Sequence, residues 1–179
     1  VGNYLRKACY RSLISYCDKD CLIAFGTLLF QVDTRICSGV YVGPNCNIGS
    51  CVIQRNCLLG SGVHILSGKR QHNFSDLKEP IKDQGGELTR VVIGENSWIG
   101  NSSLIMANIG ENCVIGAGAV VIDDLPDNAI AAGKGLDAKH ISRIHRDGKV
   151  EFYQPILDQY QEMLKKHPKL TSVTFCWMQ

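Results

Sequence analysis

The chain reads as an all-β parallel solenoid with a helix near each end, and two observations carry that reading. An aliphatic residue followed by glycine recurs at Val42-Gly43, Ile48-Gly49, Leu59-Gly60, Ile93-Gly94, Ile99-Gly100, Ile109-Gly110 and Ile115-Gly116. The aliphatic anchors also keep a six-residue interval: Ile36, Val42 and Ile48; Ile53, Leu59 and Ile65; Ile93, Ile99 and Ile105; Ile109, Ile115 and Val121. Six matches neither the 3.6-residue period of a helix nor simple two-residue alternation. It suits a very short strand, a turn and a repeat, with one side chain per unit aimed at a common axis. Stacked units of this kind bury each aliphatic residue against the next coil.

A second set of small or apolar residues follows four positions after most anchors, at Val40, Cys46, Val52, Cys57, Val63, Cys113 and Ala119, and is expected to line the same interior. A glycine-rich sandwich of hairpins would instead place Asn-Gly or Asp-Gly at its turns. The only Asp-Gly is Asp147-Gly148, outside the repeat. Asparagine precedes Cys46, Cys57 and Cys113, where a short polar side chain can serve a corner.

In chain order, residues 1–16 form an N-terminal helix whose apolar face, Leu5, Ala8, Cys9, Ser12, Leu13 and Tyr16, is expected to dock on the scaffold. Its basic side, with Arg6, Lys7 and Arg11, leaves peripheral contact with an acidic membrane open. Residues 17–132 form the solenoid. It is broken at 66–90 by a polar protruding loop with five basic and four acidic residues, Pro80 and a Gly85-Gly86 pair. A non-repeating segment of that length inside a compact domain is commonly functional. Residues 133–179 are a C-terminal extension with a helix at about 155–167. Pro155 suits its first turn, Ile156, Tyr160, Met163 and Leu164 its apolar side, and Lys165 and Lys166 its last turn.

With 19 Lys plus Arg against 17 Asp plus Glu, the net charge of +2 argues against a chain devoted to nucleic acid. The apolar run from Cys21 to Phe30 is too short to span a bilayer, and no signal-peptide pattern occurs, so a cytoplasmic protein is expected. The nine cysteines are odd in number and singly placed, which points to free thiols in a reducing compartment. Cys17 and Cys21 are spaced like metal ligands, yet no second pair follows at a standard distance, and no metal is expected.

The break draws attention to His72, which follows Lys69, Arg70 and Gln71. Imidazole is the side chain whose ordinary titration lets it accept a proton near neutral pH. His64 sits in the strand pattern between Val63 and Ile65 and reads as an outward scaffold residue.

The segments VYVGPNCNIG, GVHILSGKRQH, VVIGENSWIG and ANIGENCVIGAGAVV resemble the hexapeptide-repeat acyltransferases over about residues 36–141. The similarity is greatest to the branch that acetylates sugars. The resemblance implies a left-handed parallel β-helix that transfers an acetyl group from acetyl-CoA to a sugar hydroxyl, with His72 as general base and no acyl-enzyme. It further implies Trp98 at the acceptor, and Gly100, Ala117 and Gly118 along the donor groove. The imidazole needs a group to fix its tautomer: Asp76 is close in sequence, and a backbone carbonyl or a neighbouring subunit could do the same. Lys134, Lys139 and Arg143 are the cations available for the donor's phosphates. The family's Gly-Asn-Pro-Ala-Lys exit motif is altered here to Gly133-Lys134-Gly135-Leu136-Asp137-Ala138-Lys139, with the proline absent. A homotrimer is expected, with a sugar, sugar-nucleotide or glycolipid acceptor. N-acetylation of an amino sugar and a non-catalytic carbohydrate-binding or assembly module are the alternatives.

Overall fold

The computed structural model describes residues 2–133, 140–144 and 150–152. Two- and three-residue strands stack into three parallel sheets, giving a left-handed parallel β-helix of about six turns. The first sheet holds Tyr16–Cys17, Arg35–Ile36, Cys51–Ile53 and Val91–Ile93 in spatial order. It continues through the parallel bridges Ile93 to Ile109 and Ile109 to Leu125. The second runs from Leu22–Ile23 through Tyr41–Val42, Leu58–Leu59, Trp98–Ile99 and Val114–Ile115 to Ala129–Ala131. The third comprises Leu28–Leu29, Asn47–Ile48, His64–Ile65, Leu104–Ile105 and Val120–Val121. Two antiparallel strands, His140–Ile144 and Val150–Phe152, extend the second sheet beyond Ala129–Ala131. The expected helix at 155–167 lies outside the described residues.

The anchors read from the sequence are the core: Ile36, Ile53, Ile93, Leu59, Ile99, Ile115, Ile65 and Ile105 are all fully buried. The stack starts one coil earlier than the clear repeat, with Cys17 and Ile23 inside. Val52 departs from the expectation. The step from Ile48 to Ile53 is five residues, so Cys51 points inward and Val52 faces out.

The second inward layer does more than fill space. Thr27, Cys46, Cys57, Ser97, Ser103 and Cys113 each donate a hydroxyl or thiol hydrogen to a corner carbonyl of the following coil. Those partners are Gly43, Gly60, Gly94, Gly110, Gly116 and Pro126, at 2.8, 3.2, 3.0, 2.9, 3.0 and 3.2 Å. A strand two residues long leaves corner carbonyls unserved by the ladder, and a buried carbonyl requires a donor. Short polar residues also hold the corners themselves: Asn45, Asn56, Asn96, Ser102, Asn112 and Asn128 all adopt left-handed φ between 55° and 61°.

Helix α1 spans Gly2–Leu13 and docks by the face opposite to the one its periodicity suggests. Leu5 and Leu13 are 61% and 58% exposed, and Ala8, Cys9 and Ser12 also face outward; Tyr16 belongs to the first strand. The solenoid's open end explains the inversion, because strands with no preceding coil present free carbonyls. Arg6 Nε donates to Ile23 O at 3.2 Å, Lys7 Nζ to Lys19 O at 2.6 Å and Tyr10 Oη to Thr27 O at 2.6 Å. Donors on the polar side therefore decide the docking. No described helix is long and apolar enough to cross a membrane.

Candidate functional site

The loop leaves the third sheet after His64–Ile65 and returns to the first at Val91–Ile93, so it stands on one corner of the prism. Its two limbs are joined by main-chain bonds: Thr89 N to Ser67 O, Glu87 N to Arg70 O and Asn73 N to Gly85 O, at 2.9, 2.8 and 2.9 Å. Gly86 lies so close to the facing limb that a Cβ there would sit 2.0 Å from Gln71 O and 2.8 Å from His72 N. The peptide carrying His72 is thus packed directly on a glycine that cannot be enlarged without moving it.

Further out, Gln84 fastens the tip. Its Nε2 donates to Asp76 O and Glu79 O at 2.7 and 2.8 Å, while its Oε1 accepts Asp76 N at 3.1 Å. At the base, Lys69 Nζ meets Asp123 Oδ1 at 3.0 Å and Ile122 O at 3.1 Å. Arg90 Nη2 meets Asp33 Oδ2 at 2.8 Å, and Ser50 Oγ donates to the same oxygen at 2.6 Å. The Ser50 hydroxyl and then the Arg90 guanidinium hold the Asp33 carboxyl below the usual carboxylate range.

The feet of the loop border a groove of about 500 Å³. Val91, Met106, Ala107 and Ile122 supply apolar wall, while Lys69, Arg70 and Arg90 bring positive charge and Glu87, Asp123 and Asp124 negative charge. Among the described residues no group of three His, Cys, Asp or Glu side chains is placed to hold a metal ion.

His72 is exposed on the limb that also lends Gly68, Lys69 and Arg70 to the groove wall. No hydrogen bond ties its ring to another described residue. Asp76 is not its partner within this chain: its Oδ1 accepts the Lys78 amide at 2.8 Å, forming a local turn. Trp98 lies elsewhere, 42% exposed on the outer face of the second sheet between Leu58 and Val114. Gly100, Ala117 and Gly118 form the corner between the second and third sheets. Gly100 meets the backbone of Ile115 to Ala117, where a Cβ would clash; one on Gly118 would meet only open space. One chain therefore places His72 on the limb that borders the groove, outside the groove's own lining, and leaves Trp98, Gly100, Ala117 and Gly118 on other parts of the prism.

Lys134 and Lys139 lie outside the described residues; Arg143 pairs by its backbone with Ala129, and its side chain is likewise outside what is described. Sequence reasoning missed Gly86 as a wedge, Gln84 as the tip fastener and the Arg90 to Asp33 clamp. Only the first had a visible signal, the glycine pair inside a polar excursion.

Short strands at six-residue spacing, asparagine corners and one loop thrown from the third-to-first corner define a hexapeptide-repeat solenoid. Comparison with known proteins agrees: residues 90–123 match the family of bacterial transferase hexapeptide repeats (six repeats). No curated protein sequence matches the chain. Among solved structures, the chain is similar to AntD, an N-acyltransferase from Bacillus cereus in complex with dTDP and 3-hydroxybutyryl-CoA, at 15% identity and a TM-score of 0.53, over 91% of this chain and 96% of that one. It is also similar to the hexapeptide-repeat acetyltransferase VCA0836 from Vibrio cholerae, at 19% identity and 0.53, over 74% and 76%. A maltose O-acetyltransferase from Clostridium difficile 630 matches at 27% identity and 0.48, over 72% and 70%. Residues 90–123 thus carry the hexapeptide repeat, and the chain shares the β-helical fold of AntD and VCA0836.

Proposed function

We propose that this chain is an acetyltransferase that moves an acetyl group from acetyl-CoA to a hydroxyl of a sugar or sugar nucleotide, in the cytoplasm, with His72 as general base. The observation that carries the reading is the loop. It holds His72 on a limb fixed by main-chain bonds and the Gly86 contact, leaves its ring nitrogens free, and lends the same limb to a groove of about 500 Å³.

The groove's residues suit the donor. Met106, Ala107 and Ile122 offer apolar wall to a pantetheine arm, and Arg70 adds positive charge at its edge. Bound acetyl-CoA supplies a thioester carbonyl as acyl donor. A ring nitrogen of His72 then takes the proton from the acceptor hydroxyl as its oxygen attacks, and returns it as the thiol leaves. The loop's bonds supply orientation, so the base meets the acceptor without searching for its position.

Trp98, Gly100, Ala117 and Gly118 enter the proposal through a second copy. In a homotrimer, the second sheet of one protomer faces the loop of its neighbour, with Trp98 stacking on the acceptor ring and the small residues of the corner letting main-chain amides approach the donor. Lys134, Lys139 and Arg143 are proposed for the donor's phosphates. Asp76 contributes by shaping the loop tip through its turn with Lys78.

The test is release of free coenzyme A from acetyl-CoA with a panel of neutral sugars, sugar nucleotides and amino sugars. Turnover with hydroxyl acceptors is expected, and His72→Ala should lower kcat by about 10²- to 10⁴-fold. Preference for amine acceptors would transfer the reading to N-acetylation, which the fold shared with AntD also accommodates. No binding of acetyl-CoA, or unchanged turnover in His72→Ala, overturns the proposed role.

A further inference from the structure

Two thiols at the open end of the solenoid form a site that acyl transfer does not use. Sγ of Cys17 and Sγ of Cys21 are 3.2 Å apart and share a hydrogen bond, and the Asp18 carbonyl accepts the Cys21 thiol at 3.1 Å. The coil makes this pair, because positions four apart across a corner both point inward. Elsewhere the same positions hold Ile36 with Val40, Val42 with Cys46 and Ile53 with Cys57. In the first coil cysteine occupies both.

The pair is 6% and 2% exposed, and the lid over it is slight. Helix α1 buries none of its own residues and is tied across this corner by Lys7 Nζ on Lys19 O. We propose that Cys17 and Cys21 are a redox-active dithiol that closes to an internal disulfide by exchange with a low-molecular-weight disulfide.

The Cys17 thiolate attacks one reagent sulfur, breaking the reagent's S–S bond and releasing one reagent thiol. Cys21, losing its proton to solvent, attacks the Cys17 sulfur and expels the second reagent thiol. Two protein thiols lose two electrons and two protons, which leave as two reagent thiols. The order follows from the surroundings: Cys17 is the more exposed of the two and its contact with Cys21 lowers its thiol, aided by Arg11 and Lys7, whereas that contact and burial raise Cys21, whose hydrogen goes to the Asp18 carbonyl. Once Cys17 is in mixed disulfide its charge is gone, and Cys21 is freer to ionise. Closure brings the sulfurs from 3.2 Å to the S–S bond length of about 2.05 Å.

The full chain is incubated with excess oxidised glutathione, alkylated after denaturation and digested with trypsin, which cuts after Lys19 between the two cysteines. Expected are a linked pair of peptides, 12–19 with 20–35, a mass lower by about 2 Da than their sum, and separation on reduction. Cys21→Ser should halt at a glutathione adduct on Cys17, and Cys17→Ser should leave Cys21 alkylated. Recovery of both peptides singly alkylated while the exposed Cys9 carries glutathione overturns the proposal. An adduct on Cys21 in Cys17→Ser, formed as fast as the wild-type link, overturns the assignment of the attacking thiol.

Discussion

Replacing Gly86 with alanine tests whether the loop's geometry, and not merely its histidine, makes the site. The new Cβ would lie 2.0 Å from Gln71 O, 2.4 Å from its carbonyl carbon and 2.8 Å from His72 N. Backbone on both sides cannot swing aside like a flexible side chain, so the limbs must part by roughly 1.4 Å to restore ordinary contact. That movement strains the bonds on either side, Asn73 N to Gly85 O and Glu87 N to Arg70 O. Losing both costs about 1 kcal/mol each, confined to an exposed loop, so the unfolding midpoint should barely move. A displacement of about 1 Å at a catalytic group can cost on the order of 10²-fold in rate. Gly85→Ala is the control: its Cβ meets nothing within 4 Å, and only its φ of +72° is strained. The assay is kcat/KM for acetyl transfer, with amide exchange at Asn73 and Glu87 as a readout independent of activity. Gly86→Ala with turnover within about twofold of wild type and unchanged exchange would refute the wedge.

Three further outcomes follow from buried groups and from the clamp. Cys57→Ser should cost under about 1 kcal/mol in urea unfolding, because the hydroxyl can still donate to Gly94 O; Cys51→Ser should cost about 1–3 kcal/mol, because Cys51 is fully buried with no such carbonyl. The reverse order would show that the corner donors do not matter. Burial also pushes the Cys57 thiol up to about 11, so native-state alkylation near pH 8 should spare it. Asp33 has a depressed carboxyl, so its clamp on Arg90 is present above the ordinary value of about 3.9 and is lost as pH falls through the lower folded one. Both partners are partly exposed, so the effect is at most about 1 kcal/mol. Amide protection at Thr89 and Val91 should fall below about pH 4 in wild type, and Arg90→Gln should show low protection without that step. A step that persists in Arg90→Gln belongs to other carboxylates.

The core was legible because a solenoid repeats one geometry, so Ile93, Ile99 and Ile105 announce each other across the chain. Irregular steps blur the same signal. The seven residues from Leu29 to Ile36 and the cysteine in place of isoleucine at 17 hide the first coil, and the five-residue step after Ile48 reverses Cys51 and Val52. Periodicity grouped Leu5, Ala8, Cys9 and Leu13 correctly on one face of α1. It could not say which face meets the solenoid, because that depends on carbonyls of Lys19, Ile23 and Thr27 that lack partners only in three dimensions. The place of His72 was visible as a failure of the repeat. Its support was not: Asp33 and Arg90 are 57 residues apart, and a lone acid and a lone arginine carry no local signature.

The separation of His72 from Trp98 turns the proposed trimer into a measurable requirement. The loop stands where the third sheet gives way to the first, and Trp98 projects from the second, so the proposed base and the proposed acceptor platform of one protomer serve different sites unless neighbours share them. His72→Ala and Trp98→Ala chains, each inactive alone, are unfolded together in equal amounts and refolded as mixed oligomers. If each site joins the loop of one chain to the sheet of the next, it is intact when the loop comes from a Trp98→Ala chain and the sheet from a His72→Ala chain. Random assembly gives that pairing at about one site in four, so roughly a quarter of wild-type turnover should return in any closed ring. If both residues of a site belong to one chain, every chain in the mixture carries a dead site and nothing returns. The recovered fraction thus distinguishes a shared site from a private one without knowledge of the acceptor's bound pose.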